Sequence, residues 1–267
     1  MTHLRPYVSP GVSVGLTLTA IFAIALGACG SPEGSDAIGS GQKFLLNLFE
    51  PEIGLLPEYS GAKSYWLFHD NYLAAKVLAR SHPDVAKSIM AAIHREGVDK
   101  SGKIELLFGE AERPLPFHHY RLSEVRRFDS KVIRTEIVTE QILDGWEGYA
   151  DILLLACIAE KDKTTARKRW DAAMHMWDGK GFLDAAAKRD GRYSTYKLAL
   201  ALVAGHKFSP PTEAPQGLLD RLLAMQDRSG GWITDYDGSG KQIGVANVET
   251  TCLSILGLEA IAGWRRH

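Results

Sequence analysis

Gln226-Asp-Arg-Ser-Gly-Gly-Trp232 is the most informative segment of the sequence. An apolar segment follows it after a gap, Asn247-Val-Glu-Thr-Thr-Cys-Leu-Ser-Ile-Leu-Gly-Leu258. The glycine pair permits a tight turn, and the tryptophan can pack beneath the loop while its N–H finds a carbonyl. The second segment is apolar on nearly every side, which is typical of a helix buried all round. We therefore expect a glycine turn, an extended loop and a buried helix.

Similar units recur upstream in the chain. Residues 53–59 precede an apolar run at 69–79, and residues 179–184 precede another at 194–204. A degenerate copy at 149–159 keeps only the helix. Apolar periodicity predicts helices at 42–49, 61–80, 83–96, 138–160, 163–177, 193–205, 215–227 and 247–263. Alternating polar and apolar helices predict stacked αα-hairpins.

The segment 215–263 resembles a repeat of the α/α-toroid superfamily of terpenoid cyclases and protein prenyltransferases, because Gln226, Gly230 and Trp232 match the Gln…Gly-x-Trp motif of squalene cyclases. The resemblance implies an all-α domain over residues 42–267, an incomplete α/α toroid of about four αα-hairpins. Cyclase or prenyltransferase chemistry is not expected, since the Asp-x-Asp-Asp and Asp-Asp-x-x-Asp motifs are missing. No cofactor or metal is expected.

Residues 101–135 interrupt the helical pattern. Ile104–Phe108, 120–125 and 131–135 alternate as strands do, and Pro114, Pro116 and the Asp129-Ser130 turn break them. We expect a small β-ribbon or loop inserted between helices.

The N-terminus has the pattern of a secreted lipoprotein. Arg5 precedes an apolar stretch, and Leu26-Gly-Ala-Cys29 resembles a lipobox, in which the cysteine becomes the acylated N-terminus. This predicts a signal peptide at 1–28, a flexible tether at 29–41, and attachment through Cys29 to the extracytoplasmic side of a cell membrane. A retained transmembrane helix is the alternative, because no charge occurs between Arg5 and Glu33.

Composition adds few constraints. The 267 residues are 45% apolar with a formal net charge of -1, so no basic field favours nucleic acid as a partner. Cys157 and Cys252 lie in helix-like runs, either as buried thiols or as a disulfide.

The repeat register places Asp70 and Glu249 at equivalent positions near the starts of buried helices. Facing one cavity, these carboxylates could form an acid/base pair, because close like charges split their pKa values. Helix capping explains acids in a first turn equally well. His69 is a candidate proton shuttle beside Asp70.

Aromatic and polar side chains surround the same predicted mouth. This mixture suits sugar rings, which stack on aromatic side chains and hydrogen-bond to acids and amides. The expected ligand-binding residues are Trp66, Asn71, Tyr196, Trp232, Asp235, Tyr236 and Asn247. Packing of the repeat loops explains the aromatic residues as well.

Three functions follow from these patterns. The first is an exported hydrolase or lyase acting on surface polysaccharide, with Asp70 and Glu249 as its acid/base pair. The second is a non-catalytic module that binds a glycan or an apolar small molecule. The third is an envelope scaffold, suggested by the repeats.

The lipobox is tested by Cys29→Ala, which should abolish both cleavage and acylation because the modified thiol is missing. Palmitate labelling in a bacterial host, combined with gel mobility, measures both events. Cys157→Ala is the control and should remain labelled. A lipid-labelled mature form of Cys29→Ala would contradict the lipobox.

Overall fold

Helices and short strands alternate along the chain. The computed structural model describes residues 33–101, 103–110, 118–208, 215 and 217–264, all within the unit Pro32–His267. The α-helices of these residues are α1 (Glu33–Leu48), α2 (Leu73–Leu78), α3 (Pro83–Arg95), α4 (Ala150–Ala159), α5 (Lys163–Met174), α6 (Ala185–Asp190), α7 (Thr195–His206), α8 (Leu218–Ala224) and α9 (Val248–Trp264). A π-helical turn (Leu67–Tyr72) leads into α2, and 3₁₀ helices span Ile104–Phe108 and Trp146–Gly148.

The helices α2, α4, α7 and α9 form the centre of the core. Helix α7 packs against both α4 and α9, and α2 packs against α9. The more polar helices lie outside: α3 against α2, and α5 against α4. Helices α7 and α9 approach closely, since a Cβ on Gly257 would stand 3.0 Å from the carbonyl oxygen of Ala199. Cys157 and Cys252 are buried free thiols, so the disulfide left open by the sequence does not form.

Two three-stranded sheets flank these helices in the described part of the chain. In the first, β3 (Lys131–Ile142) lies between β1 (Ser64–Trp66), to which it is parallel, and β2 (His118–Phe128), to which it is antiparallel. In the second, β4 (Tyr193–Ser194), β5 (Ile233–Tyr236) and β6 (Gln242–Ala246) are antiparallel neighbours. The first sheet contributes to the candidate site.

The predicted all-α class, a toroid of about four αα-hairpins with a small β-ribbon, is wrong. The protein is about 51% helical and 21% strand, and therefore belongs to a mixed α/β class. The loops expected before α7 and α9 pair with each other through Tyr193 and Tyr236. Strand β3 also continues to Ile142, where a helix was expected from residue 138. The sequence at 138–142 is compatible with either period, and pairing with β2 decides for the strand.

Two shorter segments also differ from expectation. Ile104–Phe108 forms a 3₁₀ helix instead of a strand, because the Glu105 carboxylate accepts the N–H groups of Ser101 and Lys103 at its start. Residues 33–41, expected within the tether, are the first turns of α1. The leader and Cys29 lie outside the described residues. Among the residues that the structure describes, no helix combines the length and apolar character that a membrane crossing needs.

The glycine turn before Trp232 fixes α1 to the C-terminal helices. The amide of Gln226 donates to the carbonyls of Ala37 and Gly230, each at 2.8 Å. Trp232 is fully buried, and its Nε1–H donates to the Leu222 carbonyl at 2.9 Å, as the motif predicts. Gly230 has a φ of +91°, and a Cβ there would overlap the carbonyl oxygen of Ser40 in α1.

Gly230→Ala should therefore destabilise the protein more than Gly61→Ala. Both glycines have a positive φ, which costs an alanine about 1 to 2 kcal/mol, but Gly61 has nothing within 4 Å of the new Cβ. The overlap with Ser40 should add about 1 to 3 kcal/mol. Urea unfolding measures both variants. Equal losses would contradict the tight contact between α1 and the turn.

Candidate functional site

A cavity of about 210 Å³ lies among the central helices and β3. Six elements contribute to its wall, so the cavity exists only in the folded chain. The lining side chains are His69, Lys103, Ile104, Leu107, Glu136, Asp151, Leu155, Tyr196, Leu200, Glu249 and Leu253. A wall that combines acids, a histidine and aliphatic side chains is typical of a site for a small ligand.

Two wider grooves, of about 570 and 650 Å³, open elsewhere on the surface. In the larger groove, Arg126 is paired with Glu96 and Lys131 with Glu50. The Gln226 amide of the other groove is held by main-chain carbonyls. These charged and amide groups already have partners, unlike several polar atoms around the smaller cavity.

The π-helical turn carries two of the predicted catalytic residues, His69 and Asp70. Asn71 fixes the turn: its Oδ1 accepts the Leu56 N–H at 2.7 Å, and its Nδ2 donates to the carbonyls of Leu56 and Trp66 at 3.0 and 2.9 Å. All six residues of the turn are buried. A π-helical turn is rare and recurs at functional sites, because its wider backbone redirects the side chains. Asn71, predicted to bind ligand, instead holds this turn.

His69 and Glu136 form a buried pair. The His69 Nδ1 lies 2.7 Å from Glu136 Oε1, and His69 is 8% exposed. Burial raises the pKa of Glu136, but the hydrogen bond and the charge interaction with His69 outweigh it, so that the pKa ends below its usual range. Because the proton on Nδ1 faces the carboxylate, Nε2 is the nitrogen left for a ligand, and it has no hydrogen-bond partner.

The structure brings Asp70 and Glu249 together at the start of α9. One oxygen of Asp70 accepts the backbone N–H of Glu249, and Oδ2 has no partner. Asp70 is 2% exposed, and burial raises its pKa well above the usual range, reinforced by the charges of Glu249, Glu58 and Glu136. Glu249 lines the cavity and Asp70 lies behind its wall. Asp70 therefore keeps its proton at a pH where an exposed aspartic acid has lost it.

A second network joins the cavity to the core. Tyr196 donates its hydroxyl to Asp151 at 2.9 Å, and Lys197 Nζ lies 3.7 Å from the other oxygen of Asp151. Lys197 Nζ is 2.5 Å from Asp184, which also accepts the N–H groups of Ala150 and Ala187. Burial, and then the charge of Asp151, raise the pKa of Tyr196, so Tyr196 stays a neutral phenol.

Of the side chains predicted to bind ligand, only Tyr196 lines the cavity. Trp232 and Tyr236 are fully buried and donate to main-chain carbonyls, those of Leu222 and Lys180. Both aromatic side chains therefore hold the turns between helices.

The remaining three predicted ligand residues also lie away from the cavity. Asn247 caps α9 by accepting the Thr250 N–H at 2.9 Å. Asp235 accepts the Ser194 hydroxyl at 3.1 Å between β5 and β4. Trp66 is half-buried in β1.

Sequence reasoning missed Glu136, Asp151, Lys103 and Lys197. Glu136 lies in β3 just past the expected ribbon, and Asp151 and Lys197 lie in runs that are apolar on nearly every side. A single charged residue inside such a run indicates a buried polar contact, because the charge must find a partner when the run is buried. Within the described residues, no group of three His, Cys, Asp or Glu side chains is placed to hold a metal ion.

Asp70 makes stability depend on pH. A raised folded-state pKa means that the stability contributed by the neutral carboxyl is present below about pH 4 and is lost as the pH rises. The Asp70→Asn variant has no carboxyl to ionise, so its free energy of unfolding should rise relative to that of the wild type by up to about 1.4 kcal/mol per pH unit as the pH increases above about 4. Urea unfolding at several pH values measures this difference.

The matched control is Asp84→Asn on α3. The Asp84 side chain is 99% exposed, so its carboxylate is hydrated in both the folded and the unfolded chain. The free energy of unfolding of Asp84→Asn should therefore differ from that of the wild type by nearly the same amount at every pH. A flat difference for Asp70→Asn would contradict the neutral buried carboxyl.

No protein-family model, curated protein or solved structure matches the chain. The resemblance based on Gln226, Gly230 and Trp232 therefore stays a prediction.

Proposed function

We propose that this protein is an exported, lipid-anchored enzyme that cleaves a saccharide by general acid–base catalysis in the cavity. The observation that carries this proposal is the His69–Glu136 pair, which leaves Nε2 of a buried histidine without a partner in the cavity wall. A buried polar atom without a partner is costly, which favours a role with substrate or water.

His69 is the proposed general base. Glu136 fixes the proton on Nδ1, so the lone pair of Nε2 accepts a proton from water or from the substrate. Glu136 is a positioning residue, as is the acid of a nucleophile–histidine–acid triad, since it orients the ring and stabilises the imidazolium that forms.

The Asp70–Glu249 pair is the proposed source of the proton for the leaving group. Asp70 holds a proton because burial and the neighbouring acids raise its pKa. Glu249 is the member of the pair that lines the cavity. In hydrolysis, the Glu249 carboxylate relays the proton of Asp70 to the glycosidic oxygen as the bond to carbon breaks, and His69 takes a proton from the attacking water.

The size and wall of the cavity favour a single sugar unit. A volume of 210 Å³ corresponds to roughly seven water molecules, which excludes an extended polymer. Aliphatic side chains such as Leu155 and Leu253 suit the apolar face of a ring, and the acids suit its hydroxyls. The enzyme would therefore act on a chain end or on a small glycoside.

The proposed location rests on the sequence before residue 33. The leader and Cys29 predict export and attachment through lipid, with the described domain on the extracytoplasmic side of the membrane. Envelope saccharides are the substrates available there.

The test is turnover of a panel of nitrophenyl glycosides and short envelope oligosaccharides. His69→Gln should lower kcat/KM by roughly 10²- to 10⁴-fold, because the base is lost. With neutral glycosides, Glu136→Gln should lower kcat and leave KM nearly unchanged, because an amide donating to Nδ1 selects the wrong tautomer. His94→Gln, at an exposed position on α3, is the control and should keep full activity.

Two outcomes would contradict the proposed enzymatic function. One is undiminished turnover by His69→Gln. The other is saccharide binding by the wild type with no turnover across the panel, which would favour the non-catalytic binding module.

A further inference from the structure

The charges around the cavity do not balance. Among the described residues that line it, three carboxylates, from Glu136, Asp151 and Glu249, stand against one ammonium group, that of Lys103. Lys103 Nζ lies over the Tyr120 ring, 4.9 Å from its centre, and its charge helps to lower the pKa of Glu136. The wall therefore keeps an excess of negative charge.

In the described part of the cavity wall, two buried carboxylate oxygens lack a hydrogen bond, Glu136 Oε2 and Asp151 Oδ1. Lys197 Nζ is 3.7 Å from Asp151 Oδ1, too far for a hydrogen bond, and contacts Asp184 at 2.5 Å instead. His69, more than nine-tenths buried in the same wall, leaves Nε2 without a partner as well. Ionised carboxylates only accept hydrogen bonds, so the ligand must bring the donors.

The rest of the wall decides the kind of cation. Ile104, Leu107, Leu155, Leu200 and Leu253 give the cavity an aliphatic side, which suits a carbon skeleton. The described residues offer no group of three ligating side chains for a metal ion. An organic ammonium ion supplies a positive charge, three donors and an apolar body together.

We propose that the cavity binds a protonated primary amine on a compact carbon skeleton, so that the sugar recognised is an amino sugar with a free amino group. Its ammonium group lies between Glu136 and Asp151, and its ring packs against the aliphatic side. The inference rests on the proposed function for the saccharide, but binding tests it without turnover.

The experiment is calorimetric titration of the mature protein with D-glucosamine, and with D-glucose as the matched neutral sugar. Glucosamine should bind at least about tenfold more tightly than glucose, a difference of about 1.4 kcal/mol. N-acetylglucosamine, which has the same ring without the charge, should bind as weakly as glucose.

Variants locate the amine. Asp151→Asn and Glu136→Gln should each weaken glucosamine binding at least about tenfold and leave glucose binding nearly unchanged, while Asp84→Asn should change neither. Because Asp151 also holds Tyr196 in the core, Glu136→Gln keeps the test valid if Asp151→Asn fails to fold.

Equal binding of glucosamine and glucose, or no binding of glucosamine, would overturn the inference. Turnover of neutral glycosides alone would also overturn the inference about the amine, but it would still support the proposed enzymatic function. Glucosamine binding without any turnover would support the inference and overturn the proposed catalysis, so the two proposals fail separately.

Discussion

The buried ion pair between Lys197 and Asp184 is the interaction on which the centre of the fold depends. Asp184 is 1% exposed, and it accepts Lys197 together with the N–H groups that begin α4 and α6. A buried carboxylate needs this many donors, since an unpaired one would cost several kcal/mol. The pair therefore ties α4, α6 and α7 to one point. Asp151 and Tyr196, at the starts of α4 and α7, are held at the cavity as a result.

Much of the helical framework could be predicted from the sequence, because long apolar runs have a clear period. The runs at α4, α7 and α9 were recognised in this way, and so was the turn at Gly230. The second sheet was not predictable, since β4 and β5 are too short to show alternation and are stabilised by pairing with each other. The predicted strand ended before the end of β3, because residues 138–142 fit both a helix and a strand. Only their pairing with β2 favours the strand.

The residues of the candidate site were also only partly predictable from the sequence. Repeat register placed Asp70 and Glu249 near each other, because equivalent positions of stacked units lie side by side. Register did not reveal Glu136, whose place beside His69 depends on β3 pairing with β1, more than 60 residues earlier in the chain. It also misplaced Trp232 and Tyr236, because large aromatic residues in a repeat fill the core as readily as they form a binding surface.

The contact between His69 and Glu136 depends on the register of β3 against β1. Strand β1 runs directly into the π-helical turn that carries His69, and Ser64 pairs with Val132, four positions before Glu136. Side chains alternate across a strand, so a slip of one residue would turn Glu136 to the opposite face of the sheet. The imidazole would then lose the carboxylate that fixes its tautomer. The same slip would turn Ile133, which is fully buried in the core, to the opposite face. The burial of Ile133 therefore also holds Glu136 beside His69.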